Sequence, residues 1–313
     1  MDLALALDIG GTKIEGALID SDGAILEGSR VRVPTGQTAA QERGALDAAL
    51  RSAVAQCMTH SSWSRVTAVG IGSAGPINLT AGSIAPINLP AAHGYEVVSA
   101  AQAVTGIEDV TLRLDGTCIA LAETWLGAAQ GVKNALVMVV STGVGGGVIS
   151  GGRLVSGASG NAGHIGQVPI RDPDQNVADA TVEGIASGPS TVAWARAHGW
   201  AGSSGEDLAA SFRASEPVAV AAVERSARAV GVGLISAATL LDLELAVIGG
   251  GFVGVADDYT QMVQATVLEN AVNAYAGSLR VVPAGLGGDS PLIGAAALSH
   301  RPDLLAPDLG SVL

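Results

Sequence analysis

The chain has 313 residues, of which 48% are hydrophobic, and a formal net charge of −13 from 16 Lys and Arg against 29 Asp and Glu. This length and apolar content suit packed cores in about two domains, while the acidic balance argues against nucleic acid and anionic membranes as partners. Cys57 and Cys118 are far apart in apolar, helix-like contexts, which indicates reduced thiols in a cytoplasmic protein rather than a disulfide framework.

The first part of the chain predicts three strands around a glycine-rich loop. Apolar residues 3–7 lead into the loop Asp8-Ile9-Gly10-Gly11-Thr12-Lys13, and a second apolar run at residues 14–19 ends at an Asp-Gly turn. A third run follows at residues 24–33. This order predicts a strand, a Gly-Thr loop, a second strand, a tight turn and a third strand.

The same order recurs near the middle of the chain. Residues 135–140 form an apolar run, and the loop Ser141-Thr142-Gly143-Val144-Gly145-Gly146-Gly147 follows it. Residues 148–155 then contain a second run, a turn and the start of a third run. Two copies of one three-stranded unit, each with a Gly-Thr loop after its first strand, predict a duplicated domain.

Helical periodicity fills the segments between these strands. We expect helices at residues 39–59, 119–126, 218–239 and 290–299, and further strands at residues 66–71 and 245–248. Helices interleaved with short strands predict an α/β fold, with one domain at residues 1–113 and a larger one at 114–313. The last helix is a candidate to pack back on the first domain. Asp242 and Glu244 interrupt the long apolar stretch at residues 231–251, which therefore predicts core rather than a membrane span.

The two glycine-rich loops have the composition of a phosphate-binding site. Glycine lets backbone N–H groups approach a phosphate closely, a threonine hydroxyl adds a donor, and a lysine adds a positive charge. A carboxylate such as Asp8 suits this place where Mg²⁺ lies between it and the phosphates, through water. One such loop is also a common hairpin turn. Two in matching positions, with Gly249-Gly250-Gly251 after a late strand, favour a nucleotide.

In order and spacing, these motifs resemble the ROK family of bacterial sugar kinases and repressors, from the N-terminus to about residue 297. The resemblance implies a duplicated actin-like (ribonuclease H-like) α/β fold, with ATP and sugar in the cleft between the domains. It assigns ATP binding to residues in three loops, Asp8, Gly10, Gly11, Thr12, Lys13, Thr142, Gly143, Gly145, Gly249, Gly250 and Gly251. Residues 142–152, followed by residues 162–166, are most similar to bacterial N-acetylmannosamine kinases.

The resemblance also implies the residues on the sugar side. Asp115 matches the family's catalytic aspartate, and Glu183 matches a glutamate that binds sugar. Asn88 matches an asparagine that binds sugar hydroxyls, and Gly75 matches a small residue under the sugar. His164 stands where many members have another glutamate. From the residues alone, Asp115 is also compatible with a helix N-cap, and His164 with a structural histidine.

Two departures from the family bear on the substrate and the metal. The family's Asn-Asp-Ala-Asn is Leu114-Asp115-Gly116-Thr117 here, which removes a polar sugar contact. The family's zinc site uses one histidine and three cysteines. Gln167 replaces the histidine and residues 171–182 contain no cysteine, so no zinc site is expected.

Together these features predict an ATP-dependent kinase that phosphorylates a hexose or N-acetylhexosamine at O6, with Asp115 as general base and with Mg²⁺. The main alternative is a glucokinase. An alternative from another class is a catalytically weak sugar-binding sensor, suggested by the altered residues around Asp115. A filament-forming actin-like ATPase is disfavoured by Asn88 and Glu183. A small-molecule sugar is the expected partner, and a homodimer is expected because the family often forms one.

Overall fold

The computed structural model describes residues 2–35, 42–86, 89–172 and 176–305. The chain divides into two compact units, the first made of Met1–Leu126, Arg153–Ala162 and Gly288–Leu313, and the second of Gly127–Gly152 and Gly163–Gly287. In this division, Asp115 lies in the first unit. The domain boundary expected between residues 113 and 114 stays a prediction.

The described residues form short strands interleaved with helices. The strands are β1 (Leu3–Ile9), β2 (Lys13–Ile19), β3 (Val31–Pro34), β4 (Val66–Ser73), β5 (Ile77–Asn78), β6 (Ser83–Ile84), β7 (Val110–Leu114), β8 (Ala135–Val140), β9 (Val144–Ser150), β10 (Arg153–Leu154), β11 (Leu245–Gly249) and β12 (Arg280–Pro283). The helices are α1 (Arg43–Met58), α2 (Val97–Thr105), α3 (Asp115–Trp125), α4 (Val182–Ala186), α5 (Gly188–Ala197), α6 (Gly205–Arg213), α7 (Pro217–Leu241), α8 (Tyr259–Asn270), α9 (Ala274–Gly277) and α10 (Ser290–His300). Within these described ranges, no helix combines the length and apolarity that crossing a membrane requires.

The sheet of the first unit brings the ends of three parallel strands together. Its strand order is β3-β2-β1-β4-β7, with β2 antiparallel to both neighbours and β1, β4 and β7 parallel. Asp8 pairs with Gly72, and Ser73 pairs with Leu114, the residue before Asp115. Asp8, the first Gly-Thr loop and Asp115 therefore lie at the same edge of this sheet.

The two faces of β1 carry side chains of different size. Its leucines are buried on the face that packs against α1 and α2, and its alanines are buried on the opposite face. The small residues let α10 come close: a Cβ on Gly70, which pairs with Ala6, would lie 1.8 Å from the carbonyl oxygen of Ala295. The last helix thus packs on the sheet of the first unit.

The second unit repeats the strand pairing of the first. β8 is antiparallel to β9 and parallel to β11, and β11 is parallel to β12. In the first unit, β1 is antiparallel to β2 and parallel to β4, and β4 is parallel to β7. The long helix α7 packs against α4, α5, α6, α8 and α9. The duplication predicted from the two loops is therefore present in the strand pairing.

Two elements differ in extent from the sequence prediction. A strand is predicted at residues 24–33, but β3 covers only Val31–Pro34. Gly28 has φ of 76°, a left-handed conformation that ends an extended segment, and the Ser29 hydroxyl donates to the carbonyl of Leu26 (2.7 Å). The helix predicted at residues 119–126 begins four residues earlier, at Asp115, directly after β7. Residues 39–41 of the first predicted helix lie outside the described residues.

Candidate active site

The carboxylates of Asp8 and Asp115 repel each other electrostatically at the edge of the first sheet. Asp8 is partly buried near the end of β1. Burial, then the negative charges of Asp115 and Glu15, raise the pKa of Asp8 to about 7, while Lys13 lowers it. A group of acids that raises a pKa so far is a place where a proton or a cation binds favourably.

Asp115 is the first residue of α3 rather than its N-cap. The N-cap position is Leu114, and one carboxylate oxygen of Asp115 accepts the N–H of Gly116 (2.6 Å). The interpretation of Asp115 as an N-cap is therefore wrong. Leu114 is 3% exposed and belongs to the apolar core. At the position where the family has an asparagine, this chain therefore has a residue that packs in the core. Gly75 lies two residues beyond β4, in the turn at the same sheet edge.

The first Gly-Thr loop presents free backbone donors. The N–H of Gly10 donates to the carbonyl of Lys13 (3.0 Å), and Thr35 donates to the carbonyls of Gly11 (3.1 Å) and Thr12 (3.0 Å). Among the described residues, the N–H groups of Gly11 and Thr12 have no acceptor. With its carbonyls occupied and its N–H groups free, the loop suits an anion such as a phosphate.

A buried glutamate beside this loop forms ion pairs with three basic side chains. Glu15 is 4% exposed and accepts from Lys13 (2.6 Å) and Arg32 (2.7 Å), with Arg30 at 3.5 Å. Burial alone would raise the pKa of Glu15, but the hydrogen bonds from Lys13 and Arg32 lower it overall. The ion pair fixes the ammonium of Lys13 at the end of the loop, and Arg30 also pairs with Asp289 (2.5 Å).

In the second unit, Glu183 holds the second Gly-Thr loop. Its two carboxylate oxygens accept the N–H of Val144 (2.7 Å) and the side-chain amide of Gln167 (3.0 Å). A Cβ on Gly143 would lie 2.8 Å from the same carboxylate. Gln167, at the position of the family's zinc-binding histidine, thus bonds directly to Glu183. His164 precedes this turn and is half-buried. The turn itself lies against the second loop, since a Cβ on Gly166 would be 2.0 Å from the carbonyl oxygen of Val144.

A cavity of about 630 Å³ opens beside the same loop. It is lined by residues from the second Gly-Thr loop, the α5 and α6 N-termini and the segment after β11, including Thr142, Gly188, Ser204, Gly205, Gly251 and Phe252. Gly250 has φ of 103°, and a Cβ there would lie 2.4 Å from the carbonyl oxygen of Val140. Only glycine fits this close approach.

The N-termini of α5 and α6 lie at the rim of this cavity, where their helix dipoles favour an anion. The hydroxyl of Ser187 accepts the N–H of Ser190 at the start of α5, and Ser204 forms a capping box with Asp207 at the start of α6. Among the described residues, the N–H groups of Thr142 and Gly143 have no acceptor. A cavity with apolar walls, a polar rim and free N–H groups suits a nucleoside with phosphates.

Some residues of this second site were predicted from the sequence, and others were not. Of the predicted residues in the second and third glycine loops, Thr142 and Gly251 line the cavity, whereas Gly143, Gly145, Gly249 and Gly250 lie outside its lining. The lining residues 203–206 and Phe252 were not predicted. The capping-box pattern Ser204-x-x-Asp207 marks a helix start in the sequence but gives no sign of a ligand. Asn88 lies outside the described residues, so its predicted sugar contact stays a prediction.

Comparison with known proteins gives consistent matches along the chain. The sequence profile of the ROK family matches residues 4–302. The N-acetylmannosamine kinase of Escherichia fergusonii is 31% identical over 303 residues, 95% of this chain and 98% of that protein. A ROK hexokinase from Thermus thermophilus has a TM-score of 0.78 and 30% identity, covering 94% of this chain and 96% of that chain. A ROK family glucokinase from Streptomyces griseus, in complex with glucose and AMPPNP, has a TM-score of 0.81 and 26% identity, covering 96% and 99%.

Proposed function

Because the chain belongs to the ROK family, we propose that it transfers the γ-phosphoryl group of ATP to O6 of an N-acetylhexosamine, with N-acetylmannosamine as the acceptor. The broader class predicted from the sequence, an ATP-dependent sugar kinase, is confirmed by the family match and the relatives. The observation that carries the proposal is the position of Asp115 at the sheet edge that also holds Asp8 and the first Gly-Thr loop.

Asp115 is the proposed general base. A carboxylate suits this role, because a loose phosphoryl-transfer transition state requires an oriented hydroxyl more than a strong base. The hydrogen bond from the N–H of Gly116 holds the Asp115 carboxylate at the start of α3. In the first unit, the N–H groups of Gly11 and Thr12, which have no acceptor among the described residues, suit the negative charge of a phosphate. The N–H groups of Thr142 and Gly143 offer the same donors in the second unit.

Asp8 is the proposed residue for Mg²⁺, bound through water. The fit rests on the carboxylates of Asp8 and Asp115 at the same strand ends, because carboxylate oxygen is a donor that Mg²⁺ prefers. The raised pKa of Asp8, caused by burial and then by the negative charges of Asp115 and Glu15, agrees with a place where a positive charge is favourable. When bound, Mg²⁺ neutralises charge on the phosphates. Asp8 itself must lose its proton before it can contribute a negative charge.

We expect kcat/KM to rise about tenfold from pH 6 to pH 8. With a pKa of about 7, the Asp8 carboxyl is mostly protonated at the lower pH and mostly ionised at the higher. Initial rates of ADP release at low ATP concentration, measured across this range, check the expectation. A flat profile would contradict the role given to Asp8.

The free energy of unfolding of the ligand-free protein, measured over the same pH range, tests the raised pKa of Asp8 independently of activity. Because the folded-state pKa of Asp8 lies above its usual value of 3.8, its contribution to stability is fully present below that value. It is lost as the pH rises through about 7. Asp8→Asn removes this loss, so the variant gains stability relative to the parent protein toward pH 8 while losing activity.

The acceptor sugar is tested by ADP release with ATP and Mg²⁺ against N-acetylmannosamine, glucose, N-acetylglucosamine, fructose, mannose and allose. The highest kcat/KM for N-acetylmannosamine supports the proposal, and the highest value for glucose supports the glucokinase alternative. The Streptomyces griseus structure, which contains glucose, is the reason to include that sugar. Sugar binding without ADP release would favour the sensor alternative.

A homodimer is the proposed assembly, formed through an apolar surface of the second unit. Leu240, Leu268 and Val272 are 82%, 64% and 95% exposed, and Leu241 and Tyr275 beside them are also exposed. The Tyr275 hydroxyl donates to the carbonyl of Thr239 (2.9 Å), which places Leu240, Leu241 and Tyr275 close together, with Val272 three residues before Tyr275. Cys57 and Cys118 are buried and free, which supports a cytoplasmic location.

We expect the double substitution Leu240→Lys and Val272→Lys to convert the dimer to a monomer, because charges in an apolar interface lose their hydration on assembly. Light scattering after gel filtration reports the mass, which should fall from about twice the chain mass of 30.9 kDa to that value. Val177→Lys, a substitution at an exposed valine elsewhere in the second unit, should keep the dimer. A parent protein that is monomeric would contradict the assembly.

A further inference from the structure

A second cavity, of about 470 Å³, lies in the first unit at the outer edge of β7. Its walls come from β7, the hairpin of β5 and β6 and the start of α2. None of the residues assigned above to ATP or sugar lines it. The cavity is therefore separate from the site of the proposed reaction.

A buried arginine that forms no ion pair with any described residue lines this cavity. Arg113 is 9% exposed, and its Nη1 donates to the carbonyl of Leu112 (2.8 Å), on the free edge of β7. Its Nε is buried and has no hydrogen-bond partner. No carboxylate among the described residues forms an ion pair with it. A buried guanidinium in this state is costly unless a ligand supplies the missing negative charge.

Other groups around the cavity are donors for an anion. The hydroxyl-bearing residues Thr80, Ser99 and Thr111 line it together with Arg113. Thr111 and Arg113 are two residues apart on β7 and so lie on the same face of the strand. Ser99 is in the first turn of α2, where the helix dipole favours negative charge, and its N–H has no acceptor among the described residues.

We propose that this cavity is a second binding site for a phosphate group, either inorganic phosphate or a phosphate monoester. The planar guanidinium of Arg113 donates to the phosphate oxygens, and the hydroxyls and the N–H of Ser99 complete the contacts. The volume exceeds that needed for a phosphate alone, so a sugar phosphate also fits. The proposal does not depend on the acceptor sugar proposed above.

The test measures phosphate binding directly while the active site is occupied. The full chain is saturated with Mg²⁺ and AMPPNP, so that the glycine loops are filled, and inorganic phosphate is titrated in a calorimeter against potassium chloride of equal ionic strength. We expect saturable binding that Arg113→Met weakens tenfold or more and Arg113→Lys weakens less, because lysine keeps the charge but not the planar fork. Arg51→Gln removes an exposed guanidinium from α1 and should leave the affinity unchanged.

Glucose 6-phosphate in the same titration distinguishes the two sources of phosphate. Tighter binding than inorganic phosphate supports a sugar-phosphate site, and equal binding supports an inorganic phosphate site. Unfolding provides an independent readout: without phosphate, Arg113→Met should not lower Tm, because it removes an unpaired buried charge.

Two results would overturn the proposal. One is phosphate binding to the parent protein that is no stronger than the chloride control. The other is Arg113→Met binding phosphate as tightly as the parent. If Arg113→Met does not fold, Ser99→Ala decides the question: a weaker affinity for phosphate supports the site, and an unchanged affinity rejects it.

Discussion

Replacing Asp115 by asparagine is expected to lower kcat by a factor of about 10²–10⁴, the contribution typical of a general base. Asparagine keeps the size of the side chain and an oxygen that can accept the N–H of Gly116, but it cannot take a proton from the sugar hydroxyl. The measurement is sugar-dependent ADP release with the preferred acceptor. AMPPNP affinity at pH 8, where Asp8 is already mostly ionised, should stay within about twofold, because Asp115 is not among the residues assigned to the nucleotide.

The matched control is Asp109→Asn, which changes an exposed acid directly before β7 and should retain full activity. The Asp115 variant has a second expected effect. Because the negative charge of Asp115 helps raise the pKa of Asp8, removing it should move the titration of Asp8 to lower pH. Near-normal turnover by Asp115→Asn would show that another group, or none, takes the proton.

Gly294→Ala is expected to destabilise the protein by about 1–3 kcal/mol or more and to lower Tm by several degrees. A Cβ at Gly294 in α10 would lie 1.7 Å from the carbonyl oxygen of Cys118 in α3. That atom belongs to the backbone of a buried helix, which cannot move aside like a flexible side chain. Gly70 of β4 contacts the carbonyl of the next residue, Ala295, so α10 is also held closely against the sheet.

Gly44→Ala is the control for this substitution. Gly44 is also helical, in the first turn of α1, but a Cβ there would meet nothing within 4 Å. The change should be neutral or stabilise by up to about 1 kcal/mol, because alanine restricts the unfolded chain and favours helix. Thermal unfolding of the two variants side by side separates close packing from the general effect of removing a glycine. Equal Tm values would contradict the packing argument.

Much of the fold was predictable because it repeats in the sequence. The two Gly-Thr loops predicted a duplicated α/β domain, and the resemblance to the ROK family implied an actin-like fold, which the similarity to ROK kinase structures confirms. Strand and helix positions also followed from periodicity, as for α7, predicted at residues 218–239 and observed at Pro217–Leu241. The ends were less accurate: β3 is short because Gly28 has a left-handed backbone conformation that hydrophobicity does not report.

By itself, the sequence determined the repeat, the family, the glycine loops and the candidate base Asp115, because these depend on residue types at short spacing. Only the tertiary structure decided the surroundings of those residues. Strand pairing placed Asp8 and Asp115 at one sheet edge and raised the pKa of Asp8. Folding also buried Arg113, which has no charge partner among the described residues, and placed Leu114 in the core. The physical reason is that burial and charge coupling depend on contacts between distant segments, which no local pattern encodes.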